Sequence, residues 1–298
     1  MRAYLWRHRP IRFVFAPQHA TSGTTIMRGS QLATISNGSS ILSERSVSFV
    51  PAEDEFRDSD LFLTKGAART ADAALLQRWR RKGNRIFFDP VDEAIPDELI
   101  DDSDTLVAAS RSALSAYRER WPHLRVRLVN HHVDPRVTAA MSAAPRRERP
   151  RIAYFGELQN TVIPATIASV VDVHPVDTSR EAQAWFSHLP PYAVHYAIRR
   201  SRALDHHKPF LKGFTAAACH ANILIQRGQP EPELWLPQDY PFWVDAPASQ
   251  SDIGAAVDRV RDAFGSAEWR YGLDVMRQLE DATSERATRR ALETLFAI

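Results

Sequence analysis

The sequence has almost none of the features that mark secreted or membrane-spanning chains. Among its 298 residues there is one cysteine, Cys219, so the chain can form neither an internal disulfide framework nor a thiolate metal site. The first residues, MRAYLWRHRPIRFVFAP, contain only a short apolar run that Arg12 interrupts, whereas a signal peptide or a membrane span needs a longer one. We therefore expect a soluble globular protein in a reducing cytoplasm.

Excess charge and the short motifs of two enzyme classes are also missing. The formal net charge is only +2, whereas nucleic-acid binding usually requires a concentrated basic face. This mild excess is compatible with anionic small ligands or with peripheral contact with a membrane. The chain has no G-x-G-x-x-G dinucleotide motif after its first predicted strand and no G-x-S-x-G nucleophile elbow. Nucleic-acid binding, hydride transfer and serine-dependent hydrolysis are therefore disfavoured.

What is present is an alternation of short apolar runs with helix-like segments. In the first half the runs have the β-branched and aromatic residues of buried parallel strands, and they are IRFVFA, SVSFV, DLFLT, RIFFD, DTLVAAS and VRLVN. Between DLFLT and RIFFD, the segment AARTADAALLQRWRRKG has apolar residues at helical spacing and stops at Gly83. Strands that alternate with helices need crossover connections, which predicts a parallel sheet.

The same alternation restarts after a stretch of small residues, prolines and charges, which we interpret as a linker at 138–150. The predicted strands are RIAYFGE, TIASVVDVHP, YAVHYAI and NILIQ, with helices over SREAQAWFSHLP, KPFLKGFTAAACHA, DIGAAVDRVRDAF and the C-terminal region. The sequence therefore predicts an α/β fold with two Rossmann-like domains, 1–137 and 151–298. We expect these domains to face each other across a cleft, because ligands of open sheets bind at the carboxyl ends of the strands.

The stretch HHKPFLKGFTAAACHANILIQ places cationic groups at the start of a small-residue helix. Pro209 suits the first helical position, and the first-turn amides of a helix form a partial positive charge that attracts phosphate. Lys208, Lys212 and Thr215 would then line one face. This pattern predicts an anion site, while a surface helix with solvated lysines is the alternative.

In chain order, RIAYFGELQN, YAVHYAIRRS, KPFLKGFTAAACHANILIQ and LPQDYPFWV resemble the donor domain of GT-B glycosyltransferases, in particular the family-four-like group. The first half resembles their acceptor domain through FAPQHATSGTT, FFDPVDE, LVAAS and VRLVNHHVDP. The chain departs from the family where relatives have a Glu-x7-Glu pattern and a glycine in the small-residue run. Our placement puts His207, Thr215 and Ala221 at those positions.

The resemblance implies a glycosyltransferase, hexosyltransferase-like, that moves a sugar from a nucleotide-sugar to a hydroxyl of a glycan or small-molecule acceptor. The donor would be a substrate, and no cofactor is implied. Because a leaving nucleoside diphosphate gains negative charge, cations or amides must stabilise it. The residues implied in donor binding are Gly156, Glu157, Arg199, Arg200, Arg202, His207, Lys208, Lys212 and Thr215.

Catalytic candidates come from the first half of the chain. Asp89 and Asp92 follow the strand RIFF, and His19 follows the first strand; each could accept a proton from an acceptor hydroxyl. The alternative is that Asp89 caps a turn, and an enzyme that retains the anomeric configuration needs no dedicated base.

Loop and histidine motifs leave further alternatives. Ser22, Gly23 and Thr24 could bind the acceptor or the transferred sugar, or could cap the next helix. We expect no metal, because the second half has no Asp-x-Asp pattern and the adjacent histidines at 131–132 and 206–207 would point to opposite faces of a strand. The missing glutamates leave open a nucleotide-sugar epimerase or hydrolase of the same fold, or a catalytically silent binding or scaffold protein.

Overall fold

The computed structural model describes residues 8–53, 55–142, 144, 147–177, 184–200 and 207–297. The chain forms two compact units. The first contains Met1–His131, His207–Pro209 and Glu285–Ile298, and the second contains His132–His206 and Phe210–Ser284. The structure therefore begins the second unit before the predicted linker and assigns the C-terminal helix to the first unit, whereas the sequence pattern placed it in the second.

Eleven strands are named in chain order. They are β1 (Ile11–Phe15), β2 (Val47–Pro51), β3 (Asp60–Leu63), β4 (Arg85–Phe88), β5 (Thr105–Ala108), β6 (Arg125–Leu128), β7 (Ile152–Gly156), β8 (Val171–Pro175), β9 (Val194–Tyr196), β10 (Asn222–Gln226) and β11 (Trp243–Val244).

Ten helices are named in the same way, α1 being three consecutive pieces with π-type hydrogen bonding in the middle one. They are α1 (Gly23–Thr25, Ile26–Gln31 and Leu32–Asn37), α2 (Lys65–Thr70), α3 (Ala73–Arg81), α4 (Arg111–Arg120), α5 (Pro135–Met141), α6 (Leu211–Ala218), α7 (Pro230–Glu233), α8 (Gln250–Asp262), α9 (Ala267–Thr283) and α10 (Glu285–Phe296).

The first unit is built on a six-stranded parallel sheet in the order β2-β1-β3-β4-β5-β6. All six strands predicted in the first half of the sequence are confirmed. The predicted helix between β3 and β4 is divided into α2 and α3 because Asp72 accepts a hydrogen bond from the Leu75 amide at 2.7 Å and caps the second piece. The turn between α3 and β4 contains Gly83, whose φ of 78° is a conformation that glycine adopts readily.

The C-terminal helix α10 packs on the first sheet. Its residues Leu292, Leu295 and Phe296 are buried among Ile11, Phe13 and their neighbours. Arg45 donates to the main-chain oxygen of Phe296 at 3.0 Å and also contacts the fully buried carboxylate of Asp60. The apolar face of α10 therefore completes the core of the first unit, although the other residues of that core are far from α10 in sequence.

The second unit is built on a five-stranded parallel sheet in the order β11-β10-β9-β7-β8. The segment TIASVVDVHP, predicted as one strand, is a strand only over Val171–Pro175, with a 3-10 turn at Ala165–Ile167. SREAQAWFSHLP contains a 3-10 helix at Ala184–His188, and 178–183 lie outside the described residues.

The predicted linker is attached to the second unit rather than extended. Part of it is helix α5, and Arg147 donates to the main-chain oxygens of Pro190, Cys219 and His220 at 2.7–2.9 Å. Within the described ranges, no helix is both long enough and apolar enough to cross a membrane.

Candidate functional site

In each sheet the strand order reverses once, between β1 and β3 in the first and between β7 and β9 in the second. Ligands of open parallel sheets bind outside the carboxyl ends of the strands at such a point. We name two groups of residues there. The first-sheet edge is His19, Ser22, Gly23, Thr24, Lys65, Arg69, Asp89, Asp92 and Glu93, and the second-sheet edge is Gly156, Glu157, Arg199, Arg200 and Lys212.

Asp89 lies at the end of β4 and is completely buried. Arg28, also completely buried, donates from Nε to Oδ2 at 2.8 Å and from Nη2 to Oδ1 at 2.9 Å. Burial raises the pKa of Asp89, and the guanidinium of Arg28 opposes that rise. Both carboxylate oxygens are thus occupied by Arg28, so the geometry favours a role for Asp89 in holding the strand end.

Asp92 lies three residues further on and is partly exposed. The intervening Val91 is buried and has a φ of 64°, a conformation that is strained for a β-branched residue. Lys65 Nζ lies 2.5 Å from Asp92 Oδ1 and 3.3 Å from Glu93 Oε1. The turn after β4 therefore brings Asp92 to the surface of the sheet edge, where one of its oxygens is bound by Lys65, the first residue of α2.

His19 lies in the 3-10 turn Pro17–His19 after β1. Arg69 Nη2 lies 2.5 Å from His19 Nε2, and Arg69 Nη1 lies 3.4 Å from Glu93 Oε1. A Cβ added to Gly66 would come within 2.9 Å of the His19 ring, so the missing side chain lets the imidazole pack against α2. The structure therefore brings His19 and Asp92 into one chain of contacts through Arg69, Glu93 and Lys65.

The Ser-Gly-Thr segment begins a helix. Ser22 Oγ accepts from the Thr25 amide at 3.3 Å and donates to Thr25 Oγ1 at 2.9 Å. Gly23 and Thr24 are the first two residues of α1. The capping alternative is thus confirmed for Ser22, and a substrate contact by these three residues stays a prediction.

At the second-sheet edge, Gly156 ends β7 with a φ of 147°, which few residues other than glycine adopt. The Tyr154 hydroxyl donates to the main-chain oxygen of Glu157 at 2.7 Å and thereby closes the turn. Burial raises the pKa of Tyr154 to about 12, and the charge of Arg199 opposes that rise. The phenol therefore stays protonated and donating at neutral pH.

Lys212 enters this turn from the first turn of α6. Its Nζ donates to the main-chain oxygen of Phe155 and lies 4.2 Å from the centroid of the Tyr154 ring. A Cβ on Gly156 would lie only 2.8 Å from Lys212 Nζ. The structure thus places a cation where the backbone at the strand end carries no side chain.

The remaining predicted donor residues are placed around this turn or near it. Arg199 pairs with Thr161 in an isolated antiparallel β-bridge of the main chain, and the next residue, Arg200, is exposed. Glu157 Oε2 accepts from the Asn160 amide group at 2.7 Å. Arg202 lies outside the described residues.

The predicted start of the cationic helix is wrong. Helix α6 begins at Leu211 with Phe210 as its N-cap, and Pro209 lies before it. Lys208 is therefore not on a helical face with Lys212 and Thr215, and it is exposed. His207 packs in the first unit, where its main-chain oxygen accepts from Ser110 Oγ at 2.8 Å. Of the proposed stripe, Lys212 contacts the second-sheet edge, through the main-chain oxygen of Phe155 and the Tyr154 ring.

Sequence reasoning missed Lys65, Arg69 and Arg28. Lys65 follows directly after DLFLT and Arg69 comes one helical turn later, so the rule that parallel strands end at a common edge could have found them. No local signal marks Arg28, because its partner Asp89 is 61 residues away along the chain. His131 and His132 are buried, and the described part of the chain has no group of three or more His, Cys, Asp or Glu side chains suited to a metal ion.

No protein-family model matches the sequence, and no curated protein matches it either. Similarity is found in solved structures. A glycosyltransferase from Rickettsia africae ESF-5 superposes with a TM-score of 0.64 at 7% identity, over 97% of this chain and 98% of the other. The match spans both sheets. The fold is the GT-B glycosyltransferase fold.

Two further GT-B structures are similar at comparable identity. WaaG, a glycosyltransferase involved in lipopolysaccharide biosynthesis, matches with a TM-score of 0.54 at 7% identity, over 96% of this chain and 99% of its own. The pneumococcal O-GlcNAc transferase GtfA, solved with UDP and GlcNAc, matches with a TM-score of 0.55 at 6% identity, over 80% of this chain and 56% of its own. The likeness to these proteins thus lies in the GT-B fold, at sequence identities of 6–7%.

Proposed function

We propose that this protein is a metal-independent glycosyltransferase that moves a sugar from a nucleotide-sugar to a hydroxyl of a glycan or small-molecule acceptor. The observation that carries the proposal is the approach of Lys212 to Gly156 at the switch point of the second sheet, in a chain with the GT-B fold. A cation held beside bare backbone can bind a diphosphate, because preorganised cations and amides stabilise its negative charge.

The second-sheet edge binds the donor. Gly156 lets the diphosphate approach the main chain, while Lys212, 4.2 Å from the centroid of the Tyr154 ring, and Arg199, whose charge opposes the rise that burial causes in the pKa of Tyr154, supply positive charge. As the bond from the sugar to the diphosphate breaks, negative charge develops on the leaving group. Cations that are already in place stabilise that charge without reorganisation, which lowers the barrier.

The first-sheet edge acts on the acceptor, with Asp92 as the general base. Asp89 has both oxygens bound by Arg28, and the Nε2 of His19 is bound by Arg69. Asp92 uses only Oδ1 for Lys65 in the described part of the chain, and its side chain is 21% exposed. Its Oδ2 can therefore accept a proton from an acceptor hydroxyl.

Calorimetric titration with a panel of nucleoside diphosphates, including UDP, GDP and ADP, tests the donor site. We expect one of them to bind the wild-type protein and Lys212→Met to weaken that binding by about 10- to 100-fold, because a hydrogen bond to a charged group contributes about 1.5–3 kcal/mol. Methionine keeps the packing on Tyr154. Arg277→Met, on an exposed part of α9, is the control and should bind like the wild type. Absence of binding by every nucleotide would refute the proposal.

Product analysis separates transfer from the two alternatives within the same fold. With a nucleotide-sugar that binds, a transferase forms a glycosylated acceptor, whereas a hydrolase releases free sugar and an epimerase returns an altered nucleotide-sugar. Formation of product only in the presence of an acceptor is the result expected here.

A further inference from the structure

In the contact between Arg69 and His19, the hydrogen-bonding capacity of the guanidinium determines which nitrogen of the imidazole carries the proton. A guanidinium has only N–H groups and accepts no hydrogen bond. Since Arg69 Nη2 lies 2.5 Å from His19 Nε2, Nε2 must carry the lone pair. The imidazole is then neutral, and its one proton is on Nδ1.

The surroundings keep this pair in place. Glu93 Oε1 lies 3.4 Å from Arg69 Nη1 and 3.3 Å from Lys65 Nζ, so the guanidinium is held from its other side. The His19 ring packs against α2 at Gly66, where a methyl group would come within 2.9 Å. No hydrogen bond from Nδ1 to another described residue is present, and the histidine is partly exposed.

We propose that Arg69 is a positioning residue that fixes His19 as the Nδ1–H tautomer. His19 then acts at the first-sheet edge as a hydrogen-bond donor and is removed as a candidate base, because its lone pair is bound by Arg69. This inference rests on the proposed function only where it assigns the partner of Nδ1–H, an oxygen atom of the acceptor. The tautomer itself is a property of the protein without substrate.

Long-range ¹H–¹⁵N correlation spectra of protein labelled with ¹⁵N-histidine, in the absence of any ligand, test the tautomer. We expect the His19 signals of the wild type to show a protonated Nδ1 and an unprotonated Nε2. In Arg69→Met the signals should change to those of a solvent-exposed histidine that exchanges between tautomers. A wild-type spectrum with the proton on Nε2, or an unchanged pattern in Arg69→Met, would overturn the proposal.

Two further variants separate the specific contact from general effects. Arg81→Met removes an exposed arginine at the end of α3 and should leave the His19 signals unchanged. Arg69→Lys keeps a group that can only donate, so it should retain more of the Nδ1–H form than Arg69→Met, and an equal loss in both would contradict the assignment. Because no nucleotide is used, failure of the donor-site titration and failure of this proposal are distinguishable.

Discussion

Arg28 and Asp89 form a two-pronged ion pair in which neither side chain is exposed to solvent. The remaining Nη1 of Arg28 donates to the main-chain oxygens of Val129 and Asn130 at 2.9 and 3.1 Å. One guanidinium thus ties α1 to the carboxyl ends of β4 and β6. This arrangement fixes the turn from which Asp92 extends.

Removing one partner of this pair should be costly. Arg28→Met leaves the Asp89 carboxylate buried without a cation, and such a break costs about 3–5 kcal/mol. Denaturant unfolding of the first unit measures the loss. The double variant Arg28→Met with Asp89→Leu removes both charges and should recover a large part of it. A double variant as unstable as the single one would contradict this account.

His195 should make stability depend on pH. Burial lowers its pKa to about 3 from an ordinary value of 6.5, and the charges of Arg147 and Lys212 add to the effect. Between these values the unfolded chain binds a proton that the folded chain does not, so the free energy of unfolding falls as pH falls, by about 1.4 kcal/mol per pH unit from this group.

Denaturation of wild type and His195→Leu across pH 7 to 4 measures this contribution. Below pH 6.5, the free energy of unfolding of the variant should fall less steeply with pH than that of the wild type, and the difference in slope should correspond to about one bound proton. Parallel curves for the two proteins would refute the assignment. Because Nε2 of His195 has no hydrogen-bond partner among the described residues, the substitution removes a buried polar group rather than a bond.

His220 ends α6 in the left-handed conformation, with a φ of 49°. The Ala221 amide donates to Ala216 and the His220 amide to Ala217, which is the Schellman pattern that glycine favours. His220→Gly should therefore raise the free energy of unfolding by about 0.5–1 kcal/mol, since a left-handed residue with a Cβ is strained. His220→Ala, which keeps the Cβ, should give no such gain in the same assay.

Gly156→Ala should disturb the second-sheet edge. A methyl group there lies 2.8 Å from Lys212 Nζ, and a φ of 147° strains any other residue. We expect weaker binding of the nucleoside diphosphate that the wild type binds, together with a loss of about 1–3 kcal/mol in stability. Gly254→Ala in α8, where an added Cβ meets no atom within 4 Å, is the matched control and should leave binding unchanged.

Asp92→Asn should abolish most of the transfer reaction while the protein stays folded. General base catalysis contributes about 10²–10⁴-fold, so kcat should fall within that range with little change in nucleotide affinity. Thermal unfolding of the variant should match that of the wild type. A variant with full activity would remove Asp92 as the base.

The sheets were predictable because each strand is encoded by a pattern of residues that are adjacent in sequence. Each of IRFVFA, DLFLT and RIFFD is a short apolar run between polar turns, and the alternation with helices requires parallel strands. The GT-B fold was implied by the resemblance of the quoted motifs, in their order, to that family, and it is confirmed. The start of α6 was not predictable from proline and lysine positions, because Phe210 packs against Gly213 and the helix begins only at Leu211.

Taken by itself, the sequence determined the two parallel sheets and which strand ends carry polar groups. Both follow from the spacing of apolar and polar residues that are close together along the chain. The tertiary structure decided which polar groups are in contact. It joined Arg28 to Asp89 and Arg69 to His19, and it returned α10 to the first unit. Such pairings depend on distances between residues far apart in sequence, and these distances exist only after the strands have taken their order in the sheet.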